Sequence, residues 1–97
     1  MYNILNEGNI IRGNMSHYRK LYDKIKNNPK DVSFEEIDKL LTKVGGFTRT
    51  NPKGGSSHYT YYHPDLLDPL TIPKNKPVKA IYIKRALMFF DIVKEDF

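Results

Sequence analysis

The hydrophobic period of this chain changes at one point, and that change limits the fold more than any other feature. Before Gly45-Gly46 the apolar residues recur at helical spacing, and from Phe47 onward they alternate. A segment that repeats every 3.6 residues buries one stripe of a helix. One that repeats every two residues buries one face of a sheet. The chain must therefore set helices against strands.

The stretch just before the change, "VSFEEIDKLLTKVGG", carries the strongest local signals. Ser33 and Glu36 have capping-box spacing, in which each side chain satisfies a backbone N–H left free at a helix start. Val32 before the cap and Ile37 inside it form the matching hydrophobic staple. Phe34, Ile37, Leu40, Leu41 and Val44 then share a face, and Gly45-Gly46 can end the helix because glycine accepts left-handed backbone. Upstream, Tyr18, Leu21, Tyr22 and Ile25 stand at i, i+3, i+4 and i+7. This predicts an earlier helix capped by Ser16 and stopped at Asn27-Asn28-Pro29. Residues 1–15 show no sustained period and read as a flexible leader, with Met15 a second place for the domain to begin. The domain itself is expected over 16–97.

Downstream, "GFTRTN", "SHYTYYH" and "LTIP" read as three short strands joined by "PKGG" and "HPDLLDP". Their spacing predicts an antiparallel meander. Strict alternation puts His58, Thr60 and Tyr62 on one face and Ser57, Tyr59, Tyr61 and His63 on the other. A last helix turns Ile83, Ala86, Leu87 and Phe90 inward and Lys84 and Arg85 outward, and ends near Asp91. Helix, helix, three strands, helix is an α+β order with the helices on one sheet face.

Charge distribution narrows the partners. Sixteen Lys/Arg against eleven Asp/Glu give +5. The first 45 residues carry eight basic and six acidic side chains. From Thr71 to Phe90 there are five basic residues (Lys74, Lys76, Lys79, Lys84 and Arg85) and no acidic one. A one-signed patch of this kind can follow a phosphate backbone, although a solvated helix face gives the same pattern. With no cysteine, disulfides, thiolate metal sites and thiol nucleophiles are excluded. No run approaches the roughly 18 apolar residues of a membrane span, and the N-terminus lacks signal-peptide character. A cytoplasmic location is expected, with neither a membrane nor a small-molecule cofactor.

Among the candidate chemical groups, His58 follows a glycine turn at the start of a strand. Histidine takes and gives protons near neutral pH. Against an RNA ligand it could deprotonate a 2′-hydroxyl, but composition alone favours a plain polar strand residue. His63, before Pro64 and on the other face, reads as a turn element, and His17 as a surface residue. Tyr62 shares the His58 face and could stack a base, whereas Tyr59 and Tyr61 read as core. Three scattered histidines without paired carboxylates make no metal site, and no phosphate-cradling glycine fingerprint is present.

In "SSHYTYYHP", Ser57-His58 is followed after four residues by His63-Pro64. Then come "LTIP" and "IYIKRALMFFDIVKEDF", with "VSFEEIDKLLTKVGGF" upstream. In order and spacing, from about Ser16 to Phe97, this resembles the HicA family of toxin–antitoxin toxins. The resemblance implies a double-stranded-RNA-binding-like α-β-β-β-α fold with a three-stranded antiparallel sheet, here with an additional N-terminal helix. It further implies metal-independent endonucleolytic cleavage of mRNA and inhibition by a HicB-type antitoxin that covers the catalytic histidine. His58 falls on the catalytic position. Ser57, Tyr62, Lys74, Lys76 and Lys79 are the residues expected to meet RNA. The chain departs from the family pattern at Ser56, where a glycine is usual, and at Asn75, where a histidine often follows the Ile-Pro strand. Two rival readings stand beside this one: an RNA-binding module that does not cut, and a protein-interaction domain whose basic surface receives an acidic partner.

Overall fold

A computed structural model describes the backbone of residues 9–94, with side chains from His17 onward. Helix α1 covers Asn9–Asn27 and α2 covers Phe34–Lys39, which runs on into a π-helical turn at Leu40–Val44. Strands β1 (Thr48–Thr50), β2 (His58–Tyr62) and β3 (Leu70–Pro73) follow, then α3 (Ala80–Val93). The domain is α+β, with a three-stranded antiparallel sheet in the order β1-β2-β3.

The start of α2 is built as its sequence predicts. Glu36 N–H donates to Ser33 Oγ at 3.1 Å, and Ser33 N–H donates to Glu36 Oε1 at 3.0 Å. Val32 and Ile37 are both fully buried. Lys24 of α1 also donates to Glu36. Burial pushes the Glu36 carboxyl up, but the Lys24 and Ser33 donors outweigh it and hold the group below its ordinary range.

The end of the second helix differs from a plain glycine stop. Its last turn widens, so that Gly45 N–H donates to Leu40 O and Phe47 N–H to Leu41 O, each at 3.0 Å. The two glycines then divide the work. Gly46 takes the left-handed backbone at φ +76°, while Gly45 is right-handed and supplies space. A Cβ there would sit 2.9 Å from the Leu41 carbonyl oxygen.

Two helix boundaries also move. Helix α1 already covers the described residues from Asn9, ahead of Ser16, so Ser16 is an interior residue and not the cap. Once a turn exists, each added residue gains a hydrogen bond, so a helix extends through indifferent sequence. Residues 1–8 of the expected leader lie outside the described residues. Helix α3 runs past Asp91 to Val93, because the Asp91 side chain has a partner: Tyr22 OH donates to its Oδ1 at 2.8 Å.

Strand alternation holds through the sheet. In register, Tyr61 faces Leu70 and Tyr59 faces Ile72. Tyr61, Leu70 and Ile72 are fully buried in one core with Ile25, Ile37 and Phe90. The other sheet face leaves His58 and Tyr62 exposed. No helix of the described residues is long and apolar enough to cross a membrane.

One pH effect follows from the α1–α3 contact. Burial, then the hydrogen bond to Asp91, raises the Tyr22 hydroxyl to about 12. A raised pKa contributes stability that is full below the unfolded value of about 10 and lost as pH rises toward the folded one. The domain is therefore expected to lose stability between about pH 10 and 12, by up to about 1.4 kcal/mol per pH unit for this group. Thermal melts of Tyr22→Phe across that range should show a shallower decline than wild type.

Candidate functional site

Strand β2 enters the sheet from a tight turn. Gly54 and Gly55 have positive φ, and Ser56 N–H donates to Lys53 O at 3.2 Å. Lys74 N–H then donates to Ser57 O at 2.8 Å, which pins the backbone just before His58. His58 pairs with Pro73 at the end of the β2–β3 ladder. Its ring is exposed while its backbone is held.

Ser56 adds a second constraint. Its Oγ accepts the His58 N–H at 3.2 Å and lies 3.4 Å from Nδ1 of the ring. A hydroxyl oxygen has two lone pairs, so it can also receive Nδ1–H. In that tautomer Nε2, on the far side of the ring, keeps its lone pair for a ligand.

An open cleft of about 270 Å³ adjoins this ring, lined by Ser57, His58, Pro73, Asn75, Lys79 and Tyr82. Lys79 is the residue before α3 and Tyr82 lies in its first turn. The fold thus brings three of the predicted site residues together: Ser57, His58 and Lys79. It adds Ser56 and Asn75, singled out in the sequence only as departures from the family pattern, and Tyr82, which the sequence did not single out. Ser56 was legible in principle, since a serine two residues ahead of another residue often accepts its backbone N–H. Tyr82 had no such signal, because its place depends on how α3 docks.

Lys74 and Lys76 line a neighbouring cleft of about 320 Å³, whose other charged residues are Lys24, Asp31, Glu35 and Glu36. The Lys74 ammonium sits 5.5 Å from the Phe34 ring centroid and 3.9 Å from Glu35 Oε2. Asn75 lines both clefts. Tyr62 lies on the His58 face but four residues along the strand, about 13 Å away at the usual rise.

The other histidines stand apart from this site. The His63 ring packs on Phe47 with centroids 5.0 Å apart, and its Nδ1 accepts the Asp65 N–H at 3.0 Å. That is a turn role. His17 is exposed on α1, edge-on to Tyr18. Among the described residues no cluster of three or more His, Cys, Asp or Glu could hold a metal ion.

Behind the site, one carboxylate ties the sheet to α2. Asp38 Oδ1 accepts from Tyr61 OH at 2.7 Å and from Arg49 Nη1 at 3.0 Å. Burial first, then the Asp38 contact, raises the Tyr61 hydroxyl far above its ordinary value. The Arg49 guanidinium also lies 5.1 Å from the Tyr59 ring centroid. Strand β2 is thereby fixed on its inner face while its outer face stays open.

Fold and site together define a small α+β domain that displays a backbone-clamped histidine beside a lysine in an open cleft. Comparison with protein-family models, curated proteins and solved structures finds no match to this chain.

Proposed function

We propose that this domain is a HicA-type ribonuclease toxin: a double-stranded-RNA-binding-like fold that cuts mRNA without a metal and is held inactive by a HicB-type antitoxin. The observation that carries the reading is the exposed His58 ring, steadied by Ser56 and sharing its cleft with Lys79. An interior ring remote from the lysines would have had no access to a polyanion.

In the proposed reaction, His58 Nε2 removes the proton of a ribose 2′-hydroxyl. The 2′-oxygen then attacks the adjacent phosphorus, and the P–O5′ bond breaks. The products are a 2′,3′-cyclic phosphate and a 5′-hydroxyl. The ammonium of Lys79, a residue lining the same cleft, would offset charge developing on the phosphoryl oxygens. The leaving 5′-oxygen needs a proton, and the cleft offers two donors for it, Lys79 Nζ and the Tyr82 hydroxyl. Lys74 and Lys76 are two further cations for phosphate, in a neighbouring cleft that they share with Asp31, Glu35 and Glu36. Tyr62 offers an exposed ring farther along the same face for a base to stack on.

The test uses a transcript and its 2′-O-methyl copy, each incubated with purified protein in excess chelator. Cutting of the transcript with binding but no cutting of the methylated copy is the expected result. Binding of both with cutting of neither would instead assign the domain to non-catalytic RNA binding. Growth arrest on expression, relieved by the product of a neighbouring reading frame, would establish the toxin–antitoxin pairing.

Lys79 offers a sharper prediction. Lys79→Gln is expected to slow single-turnover cutting by about 100-fold through lost charge stabilisation. The salt dependence of RNA binding should fall only by the equivalent of about one phosphate contact.

A further inference from the structure

Helix α3 is apolar on two sides. Its inner stripe of Ile83, Ala86, Leu87 and Phe90 is buried in the core. On the opposite side, Ile81, Met88 and Ile92 are 70%, 61% and 61% exposed. These three stand at i, i+7 and i+11, which places them within about 40° of one another around the helix and directly away from the core. Half-buried Tyr82, Phe89 and Val93 widen the apolar surface along one flank. A helix with a second apolar stripe opposite its buried one has surface that a partner can cover.

Charge selects the cover. Arg85 lies within the exposed stripe, its guanidinium 6.0 Å from the Phe89 ring centroid, and Lys84 stands on the other flank. No carboxylate of the described residues forms an ion pair with either. Asp91, the one acid between Ala80 and Val93, accepts the Tyr22 hydroxyl. Among the described residues of α3, a second copy laid antiparallel on the stripe would offer these cations only Asp91, which is already engaged by Tyr22. A glutamate-rimmed helix would meet both needs at once.

We propose that the outer face of α3 docks an acidic amphipathic helix of a protein partner, its apolar residues on Ile81, Met88 and Ile92 and its carboxylates on Lys84 and Arg85. The inference rests on α3 alone and stands whatever the His58 cleft does.

Two synthetic helical peptides of about 20 residues, long enough to hold a helix, test it. They share one leucine stripe, and glutamates rim one while lysines rim the other. Binding to the whole chain is followed by titration and by the methyl signals of Met88, Ile81 and Ile92. The glutamate peptide is expected to bind at least about 10-fold tighter and to shift those methyls. Met88→Glu should weaken it by at least about 10-fold, with folding unchanged because the side chain is exposed. The pair Lys84→Glu and Arg85→Glu should reverse the preference between peptides. Equal binding of both peptides, binding weaker than about 1 mM, or shifts confined to other elements would overturn the proposal. Self-association of the chain that Met88→Glu abolishes would overturn it too, by making a second copy the occupant.

Discussion

Tyr61→Ala is expected to cost about 3–5 kcal/mol, the range for removing a large buried aromatic. Tyr61 is fully buried at the centre of the middle strand, and its hydroxyl is bound to Asp38. Truncation opens a cavity between the sheet and α2 and also leaves the Asp38 carboxylate with Arg49 alone. A domain of this size holds roughly 5–15 kcal/mol in total, so much of its stability goes with one side chain. Tyr61→Phe separates the two contributions: it keeps the ring and loses only the hydrogen bond, at about 1.5–3 kcal/mol for a charged acceptor. Urea unfolding of the three proteins should rank them wild type, then Phe, then Ala. A Phe variant as unstable as the Ala variant would mean that the polar tie, and not the packing, holds β2 in place.

His58→Ala is expected to have the opposite profile. Its side chain is exposed and its backbone is held by Ser56 Oγ and by the Lys74–Ser57 hydrogen bond. The thermal midpoint should stay near wild type, because surface changes seldom exceed about 0.5 kcal/mol. Cutting of mRNA in chelator should fall by about 100- to 10,000-fold, the usual worth of a positioned acid–base group. RNA affinity should change little, since an exposed ring beside Lys79 contributes far less to binding than the lysines do. Cutting at an undiminished rate would remove His58 from the chemistry.

Much of the fold could be read from local signals. The capping box at Ser33 and Glu36, the staple of Val32 with Ile37 and the inward set on α3 each depend on residues close in sequence, and each is present. Alternation along β2 separated Tyr61 from Tyr62 for the same reason. What local spacing could not give was reach across the fold. Spacing alone ends α3 at Asp91, because aspartate looks like a helix breaker until Tyr22, 69 residues away, supplies its partner. The widened turn before Gly45 likewise depends on the fit of Phe47 and Leu41. In the site, His58, Ser57 and Lys79 line one cleft, whereas Lys74 and Lys76 line a second. One residue along β3 or its following loop decides which cleft a side chain enters, and a charge run carries no such information.

The proposed cleavage requires His58 to deprotonate the ribose 2′-hydroxyl. The chemical ends left on a transcript cut in chelator test this most directly. A 2′,3′-cyclic phosphate and a 5′-hydroxyl are predicted. A 3′-hydroxyl paired with a 5′-phosphate would show water as the nucleophile and contradict the mechanism.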